Sequence, residues 1–222
     1  MQQEEIEVLY RDDRLIAVMK PSGMIVHRGW DNDAVTAADL VRDKIVGKRV
    51  HALYRLDRGT SGVLIFGLDP EIASYFQNEA EAGRVHKEYL ALVRGPMLEG
   101  TTLDHAIPQR NGGQRVDAVT EFEPVAHKDR WSLVRARPLT GRLHQIRRHL
   151  KHLSHPIVGD VRYGKGDINR FFRDTYELNR LALHARSISF ARPDGEAIEV
   201  LASIPADLEE PLARLGLEYH LF

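Results

Sequence analysis

Cysteine is absent from the 222 residues, which excludes disulfides, thiolate metal sites and a cysteine nucleophile. No apolar run is long enough to span a bilayer, and the first residues, Met1-Gln2-Gln3-Glu4-Glu5, are acidic, so neither a signal nor a transit peptide is indicated. A cytoplasmic protein is the expectation. There is no internal repeat and no low-complexity linker. Gly59 to Gly62 is not a P-loop, because no Gly-Lys-Ser/Thr follows at the required spacing, and Gly59-Thr60-Ser61-Gly62-Val63 lacks the Gly-x-Ser-x-Gly elbow of a serine hydrolase. His149, His152 and His155 recur every third residue, but their window holds no carboxylate or cysteine ligand, so no metal site is expected.

A net charge of −1 leaves no overall positive excess with which to hold a nucleic acid. The distribution says otherwise. From Arg130 to Gly159 there are seven basic residues (Arg130, Arg135, Arg137, Arg142, Arg147, Arg148, Lys151), four histidines and no acid. Removing those 7 from the total of 31 leaves 24 basic residues against 32 acidic ones elsewhere. Such segregation is the footprint of a phosphate-binding surface, and the bland alternative is a solvated face with counterions.

Apolar periodicity places short strands at 6–10 and 15–19, around Arg11-Asp12-Asp13-Arg14, and further strands at 63–68, 85–93, 116–125, 131–137, 181–190 and 197–201. Helical spacing appears over 36–46, after Asp69-Pro70 up to Gly83, over 143–153 and over 205–215. Lys20-Pro21-Ser22-Gly23 is a turn, and Asn111-Gly112-Gly113-Gln114 is a loop within a domain. Strands outnumber helices and several are joined by short turns. The expected class is α+β: a mixed, largely antiparallel sheet with flanking helices.

One segment is rich in chemistry. In Tyr54-Arg55-Leu56-Asp57-Arg58-Gly59-Thr60-Ser61-Gly62 a carboxylate sits between two arginines on a turn that leads into a strand. Arg55 and Arg58 favour its ionised form. The segment reads equally as a catalytic loop braced by a scaffold or as a capped turn. In a second segment, Gly141 to Leu153, a helical wheel puts Leu143, Ile146, Leu150 and Leu153 on a buried stripe. Arg148 points away from the stripe. Arg147 lies on its flank, where a covered arginine needs a partner, and Asp57 is the partner proposed; the alternative is an arginine reaching out to water. On the strand at 85–93, Lys87 and Tyr89 share a face. Tyr89 reads there as a core residue or as an aromatic platform beside a cation.

Taken together these segments resemble the RluA-like family of pseudouridine synthases. The matching motifs are Tyr54 to Gly62, Lys87-Glu88-Tyr89 and Thr140 to Arg147, in that order, with Lys20-Pro21-Ser22-Gly23 and His155-Pro156-Ile157-Val158-Gly159-Asp160 also alike. The likeness covers essentially the whole chain. Tyr54 departs from it, standing where the family has histidine. Within the family, Val26-His27-Arg28-x-Trp30, Arg147-Arg148-His149-Leu150-x-His152-Leu153 and Gly164 to Asn169-Arg170 are similar to a branch that modifies uridine 65 of tRNA.

The resemblance implies one pseudouridine synthase catalytic domain over residues 1–222, with a central cleft and no separate N-terminal RNA-binding domain. It implies isomerisation of uridine to pseudouridine in RNA, most closely in tRNA, with no cofactor. The chain would act as a monomer without an obligate protein partner. Asp57 would be the essential acid, either attacking the sugar or deprotonating it. Arg147 would pair with Asp57, and Tyr89 would stack on the uracil with Lys87 nearby. Arg55, beside Arg58 on the same loop, would hold the nucleotide out or fill the gap it leaves. Arg142, His144, Arg148 and Lys151 would contact the backbone. A ribosomal RNA substrate, or a non-catalytic RNA-binding protein, is the alternative.

Overall fold

A computed structural model describes residues 5–28, 35–109 and 113–220. Trp30, Asn111 and Gly112 of the motifs above lie outside the described residues. In chain order the elements are β1 (Glu7–Arg11), β2 (Leu15–Lys20), α1 (Ala37–Leu40) running into a π-type turn (Val41–Val46), β3 (His51–Ala52), β4 (Ser61–Gly67), α2 (Pro70–Glu81), β5 (His86–Arg94), β6 (Thr101–Asp104), β7 (Ile107–Pro108), β8 (Arg115–Val116), β9 (Val119–Lys128), β10 (Trp131–Pro138), α3 (Gln145–His152), α4 (Gly166–Tyr176), β11 (Leu183–Ala191), β12 (Ala197–Leu201) and α5 (Ala206–Arg214). The fold is α+β with mostly antiparallel pairing, as expected. The chain forms two compact units, Met1–His86 with Ala185–Ser203 and Lys87–His184 with Ile204–Phe222.

In the first unit the strand order is β1-β2-β4-β11, with β3 on β4 and β12 on β11. The β1–β2 hairpin closes on Asp12, whose Oδ1 accepts from the backbone N–H of Arg14 (2.7 Å) and Leu15 (2.6 Å), the side-chain turn that Asp favours. Helix α2 starts where the sequence says it should: Asp69 caps the Ile72 N–H at 2.9 Å, Pro70 takes the first position, and Gly83 follows the end at φ +73°. Arg14 grips the same Asp69 at 2.9 and 2.8 Å, and that hydrogen-bonded pair holds the carboxyl at about 2. Leu15, Ala17, Val63, Ile65, Ile72 and Phe76 pack with Ile188, Phe190, Ile198 and Val200, so the core is drawn from both ends of the unit's sequence.

In the second unit the order is β5-β10-β9-β6, and β7 and β8 form a separate hairpin. Trp131, at the start of β10, meets Phe172 of α4 edge to face, centroids 4.6 Å apart. The segment Pro156–Val158 is stitched in by three backbone bonds: Arg94 N–H to Pro156 O, Val158 N–H to Leu92 O and Ala182 N–H to Val158 O, at 3.1, 2.9 and 2.9 Å. Helix α3 is shorter than the expected 143–153. His144 takes a left-handed conformation (φ 54°), so the helix begins at Gln145. Leu143 therefore lies before it and is 53% exposed instead of joining the buried stripe, which consists of Ile146 and Leu150 beside Gln145, Arg147 and His149.

Candidate active site

In the first unit, Asp57 sits half-buried on a tight turn closed by the Thr60 N–H donating to its backbone carbonyl at 3.0 Å. Leu56 is buried beneath the turn, while Arg55 and Arg58 on either side are exposed. The turn is tied down from outside by Lys20-Pro21-Ser22-Gly23. The Gly23 N–H donates to Arg58 O at 2.8 Å, and Ser22 Oγ donates to Gly59 O at 2.8 Å. Lys20, fully buried at the end of β2, donates from Nζ to Met24 O (2.7 Å), Pro21 O (2.9 Å) and Arg58 O (3.3 Å). A buried ammonium ringed by carbonyls is the form in which such a charge is tolerated. The two motifs far apart in sequence are thus one structure.

The exit from the turn is equally constrained. Gly62 has φ +118°, and a Cβ there would stand 2.1 Å from Ala185 O, so glycine is required by both conformation and space. Tyr54, the departure from the family motif, donates its hydroxyl to Val63 O at 2.5 Å and stacks its ring near Phe76, centroids 6.3 Å apart. It hydrogen-bonds and packs where the family has histidine. His27 lies near Arg55; burial first, then that arginine's charge, lowers its pKa.

In the second unit, β5 carries Lys87 and Tyr89 on one face, as its alternation predicts. Tyr89 is 9% exposed, opposite Ala136 of β10. Burial lowers the Lys87 pKa to about 8. Glu88, on the other face, binds Arg135 at 3.0 Å and Arg137 at 3.1 Å, and Glu123 of β9 binds the same two arginines at 3.2 and 3.1 Å. The acid-free window is therefore not a uniform cationic surface. Its β10 arginines are neutralised by acids on the neighbouring strands.

The cations of α3 and its approach stand differently. Gln145, buried, donates from Nε2 to Val119 O and Thr120 Oγ1 (both 2.9 Å), and its Oε1 accepts from Thr140 Oγ1 (2.7 Å) and the Arg142 N–H (3.0 Å). One amide thus fastens the Thr140-Gly141-Arg142 loop to β9. His149 is fully buried, with Nδ1 2.9 Å from Thr120 Oγ1 and Nε2 3.0 Å from His105 O; burial, first among its causes, lowers its pKa. Its ring is a strut. Among the described residues no group of three or more His, Asp or Glu is arranged to hold a metal.

Arg147 is 9% exposed and gripped by Asp160, with Nε donating to Oδ2 at 2.8 Å and Nη2 to Oδ1 at 2.9 Å. Asp160 is not among the site residues expected from the sequence; its signal there is the motif His155 to Asp160, which ends on that acid. Tyr163 is likewise not among them. Its ring lies under Arg147 (5.1 Å), Arg162 (5.6 Å), Arg148 (5.8 Å) and Lys151 (5.9 Å). Its hydroxyl is 3.0 Å from Arg148 Nε and 3.0 Å from His144 Nδ1. So His144, Arg147, Arg148 and Lys151 converge on one ring. Arg142 does not join them: its Nε donates to Asp117 O at 3.1 Å. Arg148 also donates from Nη1 to Pro108 O at 2.6 Å, which ties the β7–β8 hairpin to α3.

Comparison with known proteins agrees with these motifs. The RNA pseudouridylate synthase family matches residues 14–152. A tRNA pseudouridine synthase C from Haemophilus ducreyi is 42% identical, over 85% of this chain and 86% of its own. One from Vibrio parahaemolyticus is 38% identical over 98% of each. Among solved structures, human RNA Pseudouridylate Synthase Domain Containing 1 superposes with a TM-score of 0.79 at 26% identity, over 99% of this chain and 92% of its own. Human RNA Pseudouridylate Synthase Domain Containing 4, at 24% identity, shares the fold with the same TM-score. No helix among the described residues is long and apolar enough to cross a membrane.

Proposed function

The chain belongs to the RNA pseudouridylate synthase family and is an isomerase acting on RNA, and we propose that its substrate is tRNA, at uridine 65, with Asp57 as the essential acid. The bond from N1 to the sugar breaks, the uracil turns, and C5 bonds to the same sugar carbon. C5 then gives up its proton and N1 ends protonated. Nothing is oxidised and no group is donated, so the reaction calls for no cofactor. The observation that carries the assignment is the bracing of the Asp57 turn by Lys20, Ser22 and Gly23. That much fixation of a half-buried acid suits a group that must meet a reacting atom.

In this reading Arg147 is the cationic partner of Asp57, Tyr89 stacks on the uracil beside Lys87, and Arg55, next to Arg58, supports the displaced nucleotide. A base taken out of a stack costs about a few kcal/mol. Phosphate contacts from Arg142, His144, Arg148 and Lys151 offset this by counterion release. The relatives named as tRNA pseudouridine synthases support the tRNA substrate. A single catalytic domain working as a monomer in the cytoplasm is part of the same proposal.

Tritium release from RNA labelled at uridine C5 tests the chemistry. Asp57→Asn is expected to lower the rate roughly a hundredfold or more, the scale of a lost acid–base group. Release at the wild-type rate would remove Asp57 from the mechanism. Pseudouridine mapping in a strain lacking the protein tests the substrate, and a loss confined to ribosomal RNA would overturn the tRNA assignment.

A further inference from the structure

Arg147 is held more firmly than a stabilising ion pair requires. Both oxygens of Asp160 accept from its guanidinium, and Oδ1 accepts as well from the backbone N–H groups of Arg162 and Tyr163, each at 2.9 Å. One carboxylate thus sets both the arginine and the turn that follows it. The turn is locked from behind: Asn169 of α4 accepts from the Gly159 N–H (2.9 Å) and donates to Asp160 O (3.0 Å). Gly159 has φ +78°, and a Cβ there would lie 1.8 Å from Arg180 O. Burial by itself would raise the Asp160 pKa, but the bonds from Arg147 and the two turn amides outweigh it and hold it low.

The same turn delivers the Tyr163 ring beneath the guanidinium, its centroid 5.1 Å from Cζ. Asp160 holds the edge of the guanidinium and the ring supports it from a second side. A buried ion pair adds little net stability once desolvation is counted, so its better use is to specify orientation.

We propose that Asp160 and Tyr163 are positioning residues of the isomerase, forming a two-sided seat that aims Arg147 at the reacting groups. The proposal rests on the assignment of Arg147 as the partner of Asp57. Support of this kind is what keeps a reactive constellation within a fraction of an ångström of its working geometry.

Asp160→Asn separates aim from architecture. Its remaining oxygen still serves the two turn amides, while its amide sets N–H against the N–H of Arg147. Single-turnover tritium release per active site, with active sites titrated by RNA binding, is expected to fall on the order of 10- to 100-fold, the scale of losing charge-assisted bonds. The dissociation constant for RNA should move by less than about threefold, because phosphate contacts set it. Tyr163→Leu should lower the rate roughly fivefold, and Tyr163→Phe, which keeps the ring, should recover most of that loss. A merely structural role would lower the fraction of active sites and leave the rate at each one unchanged. A folded Asp160→Asn protein with wild-type rate per site overturns the proposal. If that variant does not fold, a wild-type rate per site in Tyr163→Leu overturns it instead. Asp57→Asn and Arg147→Lys run in parallel: if they too release label at the wild-type rate, the catalytic assignment fails and the seat with it; if they are impaired while Asp160→Asn is not, only the seat fails.

Discussion

Lys20→Met removes an ammonium and leaves an unbranched side chain of similar length in a fully buried site, so packing is conserved and hydrogen bonding is not. Arg58 O keeps the Gly23 N–H at 2.8 Å, and the greater loss falls on the carbonyls of Met24 and Pro21, which lie 2.7 and 2.9 Å from Nζ. A buried carbonyl deprived of its donor costs about 1–3 kcal/mol, so two cost about 2–6 kcal/mol. Relief from burying a charge returns part of this, for a net loss of about 3 kcal/mol. In a domain of this size 1 kcal/mol shifts the melting temperature by about 2–4 °C, so Tm should fall by roughly 6–12 °C. The Asp57 turn loses the tie from Lys20 Nζ to Arg58 O, and misplacing the proposed acid is costly, so kcat at 25 °C should fall about tenfold. Thermal melting by circular dichroism and tritium release measure the two effects separately. A Tm within about 2 °C of wild type would show that the lysine does not hold the turn. A lowered Tm with unchanged kcat would show that the turn does not place Asp57.

Gly62→Ala would set a methyl group 2.1 Å from Ala185 O at φ +118°; the loss should exceed about 4 kcal/mol, and a variant melting like wild type would refute the steric argument. Lys87, with its pKa lowered by burial from 10.5 to about 8, loses its proton in the folded state before the unfolded one does. Stability should therefore rise as pH climbs from about 8 towards 10.5, by up to about 3 kcal/mol relative to Lys87→Met; equal slopes for the two proteins in urea unfolding would exclude it. Asp160 gives a slope of the same sign, but in the acid range, and its charged form supports the fold at neutral pH where that of Lys87 opposes it. Its lowered pKa stabilises the fold above the ordinary carboxylate range and ceases to do so as pH falls through the folded value, so Asp160→Asn should flatten the acid limb of the stability curve. Arg148→Gln with Lys151→Gln should reduce the salt dependence of RNA binding by up to about two units of slope. Arg137→Gln, whose charge is already matched by Glu88 and Glu123, should leave that slope unchanged.

Local patterns carry the eight longer strands, α2 and its caps, the Asp57 turn, and the shared face of Lys87 and Tyr89, because each depends on neighbours a few residues away; the short strands β3, β6, β7 and β8 are not among the expected elements. What escaped was non-local or needed backbone conformation. The acids that neutralise Arg135 and Arg137 sit on adjacent strands, and no window of sequence places them together. The left-handed turn at His144 moves the helix start and exposes Leu143, and histidine, though more frequent there than most residues, is only a weak signal of that conformation. The helix Gly166–Tyr176 is not among the expected elements, although Phe172 supplies its buried anchor. Asp160 and Tyr163 were visible as letters near a motif but gained meaning only when the fold set them beside Arg147.

The order in which the chain is made bears on the first unit. Its core joins Leu15, Val63 and Phe76 to Ile188, Phe190, Ile198 and Val200, and β4 is buried along its whole length. About a hundred residues separate the two contributions, which at 5–20 residues per second is roughly 5–20 s of translation. Until β11 emerges, β4 has only the two-residue β3 on the side away from β2, and the hydrophobic face near the Asp57 turn stands open on the ribosome. The nascent enzyme thus passes through a sticky adolescence, one in which a chaperone that shields apolar strands would raise its yield and a stalled or truncated transcript would leave an aggregating fragment.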